Sequence, residues 1–326
     1  ALTSTQAAGL NTAQAAVITS TQVTSLTTAA LAGLSSTNLG ALVTTAVAVL
    51  TTTQLGALTS AQSVGFDTSD VQILSSTQLG ALSTAGVVGL STTQVAVVTS
   101  TQVVGFDTSD ISVFSGAQAG ALTTNAVSVL TTTQLGAFSS AGVAGFDTSD
   151  IATISSTQIV GISTQGITGL TTTQAANLKT TALTALVTGQ VAALTSSVVA
   201  SLRTAQFTLL TTTQLGALTS TQDAVLNSSQ INALTTTTVT GLTTGFLGAL
   251  TTSGISGFVS TQISALSSTQ VAGFTTAQLV SFTTSQAHAA NGTIGVAVLT
   301  TTQYAGLSAS TMAALTAGQI TVLRGF

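Results

Sequence analysis

The chain has 326 residues, with three basic and seven acidic side chains, one His, and no Cys, Pro or Trp. Three scattered cations (Lys179, Arg203, Arg324) give no electrostatic footprint for nucleic acid or anionic lipid, and the absence of Cys removes disulfides, thiolate metal sites and thiol nucleophiles. At 44% apolar and 3% charged the composition is not that of a disordered chain, and Ser, Thr or Gln breaks up every stretch long enough to span a membrane.

An eight-residue period governs the sequence from its first residues. Stepping by eight from Leu2 through Leu10, Ile18 and Leu26 to Phe282 meets 36 positions, all Leu, Ile, Val or Phe, without insertion or deletion. With that residue as position 1, the consensus is Leu-Thr-Thr-x-Gln-Val-x-Ala/Gly, as in Leu50 to Ala57, Leu130 to Ala137 and Leu210 to Ala217. Position 6 is apolar except at Ser63 and Asp223, and position 3 is Ser or Thr except at Gly116.

An octad fits no uninterrupted element. Eight residues of α-helix turn about 800°, so an apolar face would drift about 80° per unit. A straight strand would put positions 1 and 6 on opposite faces. Each octad therefore contains its own bend. Position 2 carries N-cap residues (Thr, Ser, Asn, Asp) and position 5 carries Gln or Asp, which is the spacing of a capping box. Positions 1 and 6 then fall at N′ and N4, the partners of a hydrophobic staple. Gly at position 7 or 8 stands where a helix ends in a left-handed residue. This reading predicts a repeat solenoid, an all-α superhelix of one-turn helices, one per octad, with Leu, Val and Ile inside and Thr, Ser and Gln outside. The small residues at 7 and 8 would let successive turns approach closely. The alternative is a β-solenoid with one octad per face, supported by the abundance of Thr and Val. The strictness of position 3 fits neither reading cleanly: its hydroxyl bonds to the next coil, or the cap lies one residue later.

Along the chain, continuous repeats occupy 1–289. Phe-Asp-Thr-Ser-Asp recurs at 66–70, 106–110 and 146–150. Asp67, Asp70, Asp107, Asp110, Asp147 and Asp150 are the candidate calcium ligands; the plainer reading is that Asp replaces Thr and Gln in the capping box. Asp223, at a core position, is expected to turn outward or to pair with a base such as Arg203. Asn227-Ser-Ser and Asn291-Gly-Thr match the glycosylation acceptor pattern. His288 stands beside a register slip at 290–298, and octads resume over 299–326. With no base, acid or metal set to activate the many hydroxyls, no enzyme is expected.

The Leu-[Ser/Thr]-[Ser/Thr]-x-Gln-[Ile/Val]-x-[Ala/Gly] octads resemble the low-complexity arrays of very large secreted bacterial surface proteins of the adhesin and haem-utilisation type. The resemblance covers nearly the whole chain and implies an extracellular or cell-surface location. It carries over no haem ligand, since His288 and Met312 are isolated. It implies a structural protein: a self-assembling filament, sheath or surface-layer subunit, or an adhesin stalk. Its partner would then be a second copy, or a cell-surface glycan. The opening Ala-Leu-Thr-Ser-Thr-Gln lacks the regions of a signal peptide, so export is expected to rely on a removed leader or a signal outside this sequence. The alternative function is a glycan- or ice-binding module using a flat Thr-rich face.

Overall fold

A computed structural model describes residues 2–283, 285, 286 and 303. The expected slip at 290–298, the resumed octads 299–326, His288, Met312, Arg324 and the Asn291 motif lie outside the described residues. Contacts group the chain into two compact units, Ala1–Ala185 and Leu186–Phe326.

The local geometry follows from the octad. In the unit starting at Leu50, Thr51 is extended (φ −73°, ψ 157°) and begins the helix Thr52–Gly56. The Gln54 N–H donates to Thr51 Oγ1 at 3.2 Å, and the Thr51 N–H donates to Gln54 Oε1 at 2.9 Å. Two of the free N–H groups of the first turn are thereby satisfied within the octad. The chain then closes with a tight bond from the Leu58 N–H to the Leu55 carbonyl at 3.1 Å and enters the next octad extended. Leu50 (2% exposed) and Leu55 (fully buried) are the two halves of the staple. The one-turn helix repeats 35 times, in lengths of four to six residues, between Ser4 and Val280. The reciprocal box forms where position 5 carries Gln or Asp, as at Gln78 and Asp70, and not where it is Ala or Gly, as at Ala30 and Gly86.

No strand occurs among the described residues, so the β-solenoid alternative is corrected, and no flat Thr lattice on a β face forms among them. The abundance of Thr misleads because Thr at positions 2, 3 and 4 occupies N-cap, N1 and N2, where the interior penalty on β-branched residues does not apply. Position 6 is left as the main interior site for Val, and its burial outweighs a few tenths of a kcal/mol of propensity.

In each unit the helices stack in coils, a helix packing against the one three further along: Ser60–Ser63 on Thr84–Gly89 in the first unit, and Ser220–Asp223 on Thr244–Ala249 in the second. The described residues of each unit thus form an α-solenoid. Position-1 aromatics fill it at intervals: Phe106, Phe114, Phe138 and Phe146 stand in series with ring centroids 5.4, 6.1 and 4.9 Å apart.

Two local expectations are corrected. Among the described residues the glycines do not end helices in the left-handed region; Gly80 closes its helix at φ −70°, ψ −7°. A one-turn helix that must run straight into the next extended cap residue leaves no place for a left-handed reversal. Glycine is required instead by the approach of the coils. A Cβ on Gly105 would overlap the carbonyl of Ser76, and one on Gly80 would overlap the carbonyl of Gly105. Close approach at positions 7 and 8 is therefore as expected, while the conformational reason is not.

The second correction concerns Gln, which the octad reading places outside. Gln54, Gln94, Gln102, Gln134 and Gln174 are all buried, none above 5% exposed. The cap itself sits at position 2, and position-3 hydroxyls reach the next coil only in places, as from Ser196 to the Thr221 carbonyl at 3.4 Å.

Candidate functional site

The buried polar side chains are the places where chemistry could reside, and most belong to position 5. Gln134 shows the arrangement. Its Oε1 accepts from the Thr131 N–H at 3.0 Å, as a capping box requires. Its Nε2 donates to the Val103 carbonyl at 3.0 Å and the Phe106 carbonyl at 2.9 Å, 31 and 28 residues earlier. Gln118, Gln174, Gln222, Gln230 and Gln270 repeat the pair of bonds at the same two separations. One amide therefore caps its own helix and bolts it to the preceding coil. Every polar atom of the side chain is used, which is what makes its burial tolerable.

The three Asp pairs are brought together as capping boxes. Asp67 Oδ1 accepts from the Asp70 N–H at 2.8 Å and Asp70 Oδ2 from the Asp67 N–H at 3.1 Å; Asp147 and Asp150 match at 2.8 and 3.0 Å. Asp107 accepts from the N–H groups of both Ser109 and Asp110. The two carboxyls of a pair thus face one another's backbone. Among the described residues no group of three or more His, Cys, Asp or Glu side chains gathers into a metal-sized cluster.

The inner Asp of each pair is buried: Asp70 and Asp150 are 1% exposed and Asp110 3%. Burial pushes the carboxyl of Asp110 up to about 6, with the Asp107 charge adding to it and the Asp107 N–H opposing it. Asp70 and Asp150 are raised for the same first reason; the hydroxyls of Thr44 and Thr124 pull the other way. Thr124 does not complete a hydrogen bond to Asp150 Oδ1, which is buried without a partner. A carboxyl raised in the folded state contributes stability that is complete below the unfolded value and is lost as pH rises through the folded one. For Asp110 the window runs from about pH 4 to about 6, and for Asp70 and Asp150 stability is lost in the same direction as pH rises above the ordinary carboxylate value. The melting temperature of the first unit is therefore expected to fall between pH 4 and pH 6.5, by several degrees. Replacing Asp70, Asp110 and Asp150 together by Asn should flatten that profile. Equal slopes in both proteins would refute the assignment.

Asp223 is corrected too. It neither turns outward nor pairs with Arg203; it is 3% exposed, Oδ1 has no hydrogen-bond partner, and burial is the sole cause of its raised carboxyl, at about 7. Asn227 is an exposed N-cap whose Oδ1 accepts from the Gln230 N–H at 3.0 Å. No described helix is long and apolar enough to cross a membrane.

The sequence reading missed the second half of the Gln function. The signal was present: position 5 holds Gln, yet the chain contains no Glu at all. A capping box needs only an acceptor and takes Glu as readily as Gln. The use of Gln and never Glu fits a second task for the amide N–H₂, while Asp70, Asp110 and Asp150 perform the capping task alone at the same position.

Two stretches of the chain, residues 64–100 and 143–180, match the ALTTAQ repeat family. Both include octads of the Leu-Ser/Thr-Ser/Thr-x-Gln type and one of the Asp pairs, so the match falls on the scaffold motif itself. No curated protein matches the chain. By these findings the chain is a repeat protein that carries ALTTAQ-type repeats in two segments, with the described residues of each unit folded as an α-solenoid.

Proposed function

We propose that this chain is a structural protein of a cell surface or extracellular matrix, an adhesin stalk or filament subunit whose partner is a second copy of itself. The observation that supports this reading is the direction of its polar groups. Most position-5 amides from Gln54 onward and the inner carboxyls point inward, and the exterior is mainly Ser, Thr and Ala with a few Gln and single exposed aliphatics such as Val64 (56%) and Val88 (54%). Such a surface has almost no charge to hold like copies apart, since the net charge is −4 over 326 residues. It favours side-by-side association of weak, repeated contacts. The extracellular setting rests on the octad resemblance alone.

Sedimentation velocity over a wide concentration range, with negative-stain imaging of the same samples, tests the proposal. Association that grows with concentration and changes little between low and high salt is expected, because few charges take part. Monodisperse monomers at every concentration would overturn the self-assembling reading.

A further inference from the structure

Among the described octads, position 6 is aliphatic, aromatic or Ala everywhere except at Ser63 and Asp223. Ser63 solves its burial locally, donating to the Thr59 carbonyl at 3.3 Å. Asp223 has no such solution. It ends the helix Ser220–Asp223, is 3% exposed, and has a buried Oδ1 without a partner. The helix packs against Ser196–Ser201 on one side and Thr244–Ala249 on the other. Neither carries a charged or titratable side chain (Ser-Ser-Val-Val-Ala-Ser and Thr-Gly-Phe-Leu-Gly-Ala). The helices before and after it in the chain, Thr212–Leu215 and Ser228–Asn232, carry none either. Within 186–283 the only other charged residue is Arg203, which forms no pair with it.

We propose that Asp223 is a proton-operated joint: its neutral carboxyl lets the helix Ser220–Asp223 seat between the coils on either side, and its ionisation releases that helix. A buried carboxylate with no cation and an orphaned oxygen is among the least tolerable groups in a core, whereas the protonated acid is only a polar group short of one bond. Opening is the simplest route to hydration. It also breaks the neighbouring bolt, because Gln222 donates to the Val191 carbonyl at 3.0 Å and the Leu194 carbonyl at 2.6 Å from the same helix. The proton state of one side chain is thereby coupled to a contact between coils.

The sign follows from linkage. Burial lifts the closed-state carboxyl from 3.8 to about 7. The closed state is fully favoured below the ordinary carboxylate value, is lost progressively as pH rises from about 4 to about 7, and loses nothing more above that. Across this window the opening equilibrium rises about tenfold per pH unit.

Amide hydrogen exchange of residues 219–226, corrected for intrinsic rates and followed from pH 4 to pH 8, tests the joint. Wild-type protein is compared with Asp223→Val, which restores the repeat consensus, and with Asp223→Asn, which removes the charge alone. Expected is opening that climbs about tenfold per unit to near pH 7 and then levels in the wild type, with both variants flat. A flat wild type, or the same climb in either variant, overturns the proposal. The three Asp pairs belong to the first unit and do not enter this local readout.

Discussion

Replacing Gln134 by Ala is expected to destabilise the first unit by about 3–4 kcal/mol. The substitution removes three hydrogen bonds, one from the Thr131 N–H and one each to the carbonyls of Val103 and Phe106. Val103 keeps the bond from the Phe106 N–H, whereas the Phe106 carbonyl is left without a partner, and a void opens where the side chain was 5% exposed. Each lost bond between buried groups costs about 1 kcal/mol or somewhat more, and the void adds to it. Gln134→Glu should be no better. It keeps the oxygen that accepts from Thr131 but turns a charged oxygen toward two carbonyls. The same change made at Gln6 is the control. Gln6 is exposed, its Oε1 accepts from the Thr3 N–H at 2.9 Å, and no longer-range acceptor engages its amide. Gln6→Ala should cost about 1 kcal/mol or less, the worth of a cap interaction alone. Chemical denaturation of the three proteins measures the difference. Equal costs at positions 6 and 134 would mean that the inter-coil bonds contribute nothing.

The second large effect is at the glycines. Gly105→Val is expected to cost more than about 3 kcal/mol, because a Cβ there overlaps the backbone of Ser76 and backbone cannot rotate away. The coils must separate, and the bonds that Gln102 makes to the Val71 and Leu74 carbonyls, at 2.8 and 2.6 Å, lengthen with them. Gly9→Ala is the matched control. Gly9 has φ −81°, which any residue adopts, and its nearest obstacle is the Gln6 carbonyl at 3.5 Å in its own turn. Removing glycine's unfolded-state freedom should there stabilise by about 0.5 kcal/mol. Thermal melts of the two variants should move in opposite directions. A melting temperature unchanged by Gly105→Val would show that the coils do not approach as described.

These two positions also show what the octad made legible. Cap, box and staple are local, complete within eight residues, and Thr51, Gln54, Leu50 and Leu55 take the predicted places. What acts across 25 to 31 residues was not legible as geometry. Gln134 was read as surface because its local task needs only one oxygen. At Gly105 the octad foretells close approach of the coils, but not its partner, the Ser76 carbonyl, which appears only once the coils are stacked. Asp223 was expected to escape the core because an unpaired buried acid is costly; the octad register overrode that cost and left it in place. Conversely, the Asp pairs fell where the simpler of two readings put them, at the cap and at N3.

The central claim is that position-5 glutamines join each coil to the one before it. Hydrogen exchange of the Gln side-chain N–H₂ groups, observed by NMR in nitrogen-15-labelled protein, tests it most directly. Gln54, Gln94, Gln134 and Gln174, each bonded to carbonyls 28 and 31 residues earlier, should have strongly protected side-chain protons. Those of the exposed Gln6, Gln14 and Gln22 should exchange at the rate of free glutamine. Uniformly fast exchange in all seven would contradict the account.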